Sequence, residues 1–104
     1  MYVYLLKQPS TGLYKIGKTK NIENRIKQFK TGNPDNLFII KYFESKQFYS
    51  KIEAALHNLY KIQRVENEWF DLTENEVNDF LDKCRIIEDN FIYLKNNSSI
   101  YVQV

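Results

Sequence analysis

At 104 residues the chain has room for one hydrophobic core and not for two. Hydrophobic residues make up 43% of it and aromatic residues 15%, which excludes a disordered segment and allows a packed domain. A net charge of +2 conceals a split: residues 1–65 carry twelve Lys and Arg against four acids, a balance of +8, and residues 66–104 carry three against nine, a balance of −6.

Tyr2 to Lys7 is apolar and β-rich, with no basic region ahead of it, so it predicts a first strand and not a signal peptide. Gln8-Pro9-Ser10-Thr11-Gly12 is a turn cluster and Leu13 to Gly17 a second strand, which together predict a hairpin. Asn21 is placed to cap a helix running to Lys30, with Ile22, Ile26 and Phe29 on one face and a stop at Thr31 to Asp35. Leu37 to Phe43 has the composition of a strand. A second helix is expected from Ser45 to about Ile62, with Phe48, Ile52, Ala55, Leu56 and Leu59 inward.

Glu68 to Leu72 reads as a short extended piece, and Thr73-x-x-Glu76 as a capping box that opens a third helix. Along that helix Val77, Phe80, Leu81, Cys84 and Ile87 recur at helical spacing. After Asn96 to Ser99 the tail Ile100 to Val104 alternates like a strand. It is expected to pair with a sheet edge, here or in a second copy as a tail-mediated dimer, or to stay disordered. The lone Cys84 permits no internal disulfide and no cysteine metal cluster. No apolar run approaches the roughly 20 residues that span a bilayer. These features predict an intracellular, cytoplasmic protein, or one located with DNA in a nucleus or nucleoid.

The residues that carry chemistry lie along these elements. Tyr2-Val3-Tyr4 is followed by Tyr14-Lys15-Ile16-Gly17-Lys18-Thr19, then Arg25 on the next helix, Glu53-x-x-x-His57 on the second, and Glu68-Trp69-Phe70. This order and spacing, over about residues 2 to 82, resembles the GIY-YIG nuclease superfamily in its phage-type DNA-binding branch. The resemblance implies a small α/β (α+β) domain over residues 1–90, with a three-stranded, mainly antiparallel sheet flanked by three helices in the order β-β-α-β-α-α. Residues 91–104 are then a C-terminal extension. It further implies that Tyr4, Lys15, Arg25 and Glu53 are the site residues, with Tyr14 and His57 as further candidates. At the second motif's tyrosine this chain has Lys15, and where a His or Tyr is expected one turn after Arg25 it has Phe29.

Elementary chemistry gives each residue a role. With Tyr4 opposite Lys15 in the hairpin, both side chains share a sheet face, and an ammonium beside a phenol favours the phenolate that accepts a proton from water. Arg25 offers a planar, always-charged fork for a phosphodiester. Glu53 is a hard oxygen ligand for one Mg²⁺ or Mn²⁺ held mainly through waters. Lys18, Lys20, Lys27 and Lys30 add positive charge around the same helix start, which gives phosphate affinity without sequence reading. The expected function is a metal-dependent DNA endonuclease. The alternative is a DNA-binding module that keeps the fold without the chemistry.

Overall fold

The apolar run of the first strand is buried on both of its faces, which places that strand at the middle of a sheet. In the computed structural model, which describes residues 1–30 and 35–97, β1 (Tyr2–Gln8) pairs antiparallel with β2 (Leu13–Thr19), from Tyr2 opposite Thr19 to Gln8 opposite Leu13. Gly12 closes the hairpin turn at φ 72°, a left-handed conformation that a side chain would strain. This register corrects the expected pairing. Tyr4 lies opposite Gly17, and Lys15 lies opposite Leu6. The turn causes the shift, because pairing starts at Gln8 and Leu13 and leaves 9–12 as the loop. A two-residue shift keeps Tyr4, Leu6, Lys15 and Gly17 on one sheet face.

Asn21 Oδ1 accepts the Asn24 N–H at 3.0 Å and opens α1 (Ile22–Lys30), as expected of a capping Asn. β3 (Phe38–Glu44) returns antiparallel on the other side of β1. The second helix is shorter than predicted. Ser45 is buried, and its Oγ accepts the Phe48 N–H at 3.2 Å in a turn, so α2 spans only Tyr49–Leu59. A 3-10 turn, Lys61–Gln63, follows it.

Two short strands then complete the sheet. β4 (Arg64–Glu66) and β5 (Trp69–Phe70) join through Asn67 at φ 51°, and β5 pairs antiparallel with β2 at Tyr14 and Lys15. The sheet therefore has five strands in the order β3-β1-β2-β5-β4, not the three expected.

Thr73 Oγ1 accepts the Glu76 N–H at 3.2 Å and Glu76 Oε1 accepts the Thr73 N–H at 2.9 Å, the reciprocal cap that starts α3 (Glu74–Asn78). The helix expected to continue from there is divided, and α4 (Phe80–Asn96) begins after Asp79. Lys41 accounts for the division. Its Nζ donates to the carbonyls of Val77 at 2.8 Å and Asn78 at 3.3 Å, the acceptors an unbroken helix would give to residues 81 and 82. There are thus four α-helices among the described residues in place of three, and α4 runs on through residues 91–96. The predicted strand-like tail, residues 100–104, lies outside the described residues.

Two apolar layers sandwich the sheet. On one face Val3, Leu5, Ile16 and Phe70 pack with Ile52 and Leu56 of α2 and Phe80 and Cys84 of α4. On the other, Tyr4 and Leu6 pack with Ile22 of α1, joined by Ile26, Phe29, Ile39 and Trp69. Burying each large aliphatic side chain contributes about 1.5–3 kcal/mol, so these layers hold the sheet between its helices. No helix among the described residues is long and apolar enough to cross a membrane.

Candidate functional site

Tyr4 occupies the middle of the central strand, 3% exposed, on the face that α1 covers. Its ring lies across Gly17 of the neighbouring strand. A Cβ at that glycine would come within 2.5 Å of Tyr4 Cζ and Oη, so only glycine leaves space for the phenol. Tyr60 Oη is the one side-chain oxygen or nitrogen among the described residues that is sealed from solvent without a hydrogen bond. Tyr4 Oη has no hydrogen-bond partner among them either, and it therefore keeps contact with solvent.

Arg25 is half-buried on the first turn of α1, one turn from Ile22, which anchors that helix against Tyr4. Its guanidinium carbon stands 5.9 Å from the centre of the Tyr4 ring, a cation–π distance. Among the described residues Arg25 has no carboxylate partner. The fold thus assembles a phenol and an unneutralised guanidinium from two different elements.

Lys15 is engaged elsewhere. Opposite Leu6 it is a diagonal neighbour of Tyr4, and its Nζ forms a salt bridge with Glu68 Oε2 at 3.1 Å. Both partners are partly exposed, so the pair contributes little stability, but it directs the ammonium toward Glu68. Tyr14 points to the opposite sheet face, where it packs on the larger core with Lys7 Nζ 5.8 Å from its ring centre. It does not join Tyr4. Phe29 packs in the apolar layer around Tyr4 and Leu6.

Glu53 is half-buried on α2, and its carboxylate has no hydrogen bond or ion pair among the described residues. Two contacts define where it sits. Ser50, three residues earlier, meets Lys18 Nζ at 3.2 Å, and His57, four residues later, meets the Ile16 carbonyl through Nε2 at 2.8 Å. Ile16 and Lys18 flank Gly17, and Ser50 and His57 flank Glu53 on one helix face. Glu53 therefore lies on α2 between two contacts to β2, and α2 packs on the sheet face opposite to the one that α1 covers. Lys20 is exposed just past the end of β2, and Lys27 and Lys30 are exposed in the last turn of α1.

Sequence reasoning missed Gly17, Ser50 and Glu68. A glycine inside a strand is itself a signal of close backbone approach. Glu68 was in view only as part of Glu68-Trp69-Phe70, without a role, and Ser50 left no signal, because a surface serine occurs in any chain.

No group of three or more His, Cys, Asp and Glu among the described residues converges to hold a metal ion. A lone unpaired carboxylate such as Glu53 suits Mg²⁺, which keeps most of its waters and takes one or two carboxylates together with substrate phosphate. The residues present fit that mode of binding and not a closed protein cage.

The T5orf172 domain family matches residues 1–85, most of the chain. The chain belongs to this family. That finding replaces the resemblance drawn from the spacing of Tyr4, Lys15, Arg25 and Glu53, since the match is to the T5orf172 domain and nothing in the comparisons shows a GIY-YIG domain. A relative of this T5orf172 chain is the uncharacterized protein 460R of Invertebrate iridescent virus 6, 35% identical over 65 residues, which are 61% of the chain and 29% of that protein. The chain thus spans less than a third of the length of this viral relative. No solved structure matches it at a significant level.

Proposed function

We propose that this T5orf172 domain hydrolyses DNA phosphodiesters with the help of one divalent ion, through Tyr4, Arg25 and Glu53. The observation that carries the reading is the Arg25–Tyr4 pair, a half-buried guanidinium without a carboxylate partner among the described residues, over a phenol whose oxygen meets solvent. A cation left unneutralised at such a place suits an anion brought from outside, and its planar fork matches two oxygens of a phosphodiester. Arg25 then stabilises the charge that builds on those oxygens as a fifth oxygen joins phosphorus. Tyr4 Oη serves as the base toward the attacking water, and its seat on Gly17 fixes it there before substrate arrives. Glu53 would hold Mg²⁺ or Mn²⁺, which when bound supplies a Lewis acid for the departing 3′ oxygen.

The test is cleavage of plasmid DNA with Mg²⁺ or Mn²⁺. Cleavage is expected in the parent and is expected to vanish in Tyr4→Phe, which keeps the ring and removes its oxygen. It is expected to vanish as well in Glu53→Gln, while metal-free DNA binding persists or tightens as one carboxylate stops repelling the backbone. A second reading has its own observation. The Lys15 ammonium, expected beside the Tyr4 phenol, is paired with Glu68. That pairing favours a DNA-binding module without catalysis. That reading prevails if the parent binds DNA yet leaves supercoiled, linear, branched and single-stranded substrates intact with either metal.

A further inference from the structure

We infer that His57 is the positioning residue for Glu53, tying α2 to β2 at the Ile16 carbonyl one helical turn from that carboxylate. The inference rests on the reading of Glu53 as the carboxylate that holds the ion. A carbonyl oxygen only accepts, so the 2.8 Å contact between His57 Nε2 and Ile16 O requires the hydrogen on Nε2. That nitrogen is thereby committed to the backbone. The ring also stands edge-on to Phe70, with centroids 5.1 Å apart and planes at 82°, and Phe70 is fully buried. A hydrogen bond at one ring atom and an aromatic wall beside it together fix both side-chain torsions.

The tie falls at a particular place on the strand. The β5 ladder along β2 reaches only to Lys15, and His57 engages the carbonyl of the very next residue. From there the strand runs through Gly17 to Lys18, which meets Ser50 at the other end of the same helix face. The two ties differ in strength. Lys18 is exposed and its bond to Ser50 competes with water, whereas the His57 bond is part-buried and backed by Phe70. His57 is therefore the firmer of these two polar ties between α2 and β2, and Glu53 lies one helical turn from it.

Four chains test this: the parent, His57→Leu, His57→Gln and Glu53→Gln. Gln carries an N–H donor at about the reach of Nε2, and Leu fills space without one. The first readout needs no turnover: Mn²⁺ affinity by electron paramagnetic resonance, without DNA. The others are the Mn²⁺ concentration for half-maximal cleavage and the kcat on plasmid DNA. Displacing a reacting group by about 1 Å costs on the order of 100-fold. For folded His57→Leu, Mn²⁺ affinity and kcat are expected to fall by about tenfold to a hundredfold, with metal-free DNA affinity within about twofold of the parent. His57→Gln is expected to recover most of both. Should His57→Leu not fold, His57→Asn takes its place, since its shorter side chain keeps a polar end that stops short of Ile16. A folded variant lacking the tie but with the parent's Mn²⁺ affinity and metal dependence overturns the positioning role. So does Glu53-dependent Mn²⁺ binding that Leu and Gln at position 57 weaken equally. If the parent binds Mn²⁺ through Glu53 but cuts no DNA, the nuclease reading falls and the Mn²⁺ affinities alone decide on His57. If it binds no Mn²⁺ through Glu53 either alone or with DNA present, both readings fall.

Discussion

A methyl group at position 17 separates the seat of Tyr4 from every other feature of the strand. Gly17 is buried in the middle of β2 with an ordinary extended backbone, so conformational freedom is not what calls for glycine there. The cause is the 2.5 Å that would separate a Cβ from Tyr4 Cζ and Oη. The obstacle is the end of a side chain, but one walled in by Ile22, Leu6 and Trp69, so the ring has to leave its seat. Gly17→Ala is expected to destabilise the fold by about 1–3 kcal/mol through overpacking. Cleavage per folded molecule is expected to fall to the level of Tyr4→Phe. Thermal melts and plasmid nicking on the same samples check both, and full activity in the alanine variant would show that Tyr4 does not act from this seat. The strand that carries Tyr4 and the helix that carries Arg25 were legible, the one from its apolar β-rich run and the other from its capping Asn21. The hairpin register was not, because Lys15 and Gly17 lie on the same sheet face and alternation alone fits a pairing of Tyr4 with either.

At the scale of elements, the strongly patterned pieces were readable: the capped α1, the capping box before α3, and the apolar strands β1 and β3. What escaped was set by contacts distant in sequence. Lys41 comes from a strand to take the carbonyls that divide α3 from α4. Arg64-Val65-Glu66 forms a strand only because Trp69-Phe70 is bound to β2, and its own residues are all exposed. The seam between the end of α2 and the start of α4 carries a pH response. Burial pushes the Tyr60 hydroxyl up from 10.0 to about 12, with Glu76 nearby adding to the rise. Burial likewise pushes the Cys84 thiol up from 9.0 to about 12, with Glu88 adding to it. Both groups hold their proton more tightly folded than unfolded. Their contribution is complete below about pH 9 and is lost as pH rises from there toward 12, on the order of a few kcal/mol in all. Urea unfolding at pH 7 and pH 10.5 is expected to show that loss, reduced in Tyr60→Phe. At pH 7 the phenylalanine variant is expected to be at least as stable as the parent, because Tyr60 Oη has no hydrogen bond to forfeit.

Across the whole molecule, part of the positive charge of the first half gathers on one side. α1, with Arg25, Lys27 and Lys30, covers the sheet face of Tyr4, and Lys18 and Lys20 stand at the strand end beside it. The acidic second half winds into α3 and α4, and α4 packs against the opposite face with Phe80 and Cys84. Glu74, Asp82 and Asp89 are exposed there. DNA is expected to be drawn to the α1 side, where these cations gather and where Arg25 and Tyr4 are reached. Phosphate contacts release condensed cations, so the logarithm of the affinity for arbitrary duplex DNA is expected to fall linearly with the logarithm of salt concentration. Changing Lys18, Lys20 and Lys27 together to Gln is expected to flatten that slope by about one unit for each lysine that touches a phosphate. Changing Glu74, Asp82 and Asp89 to their amides makes a contrasting variant, raising the net charge by as much as the lysine set lowers it. If net charge governed binding, the two sets would shift affinity oppositely and by similar amounts. If the α1 side is the interface, the amide set is expected to leave the slope unchanged and only the lysine set to move it. Isotherms at three or more salt concentrations separate these outcomes, and an affinity indifferent to salt would remove DNA as the partner of this face.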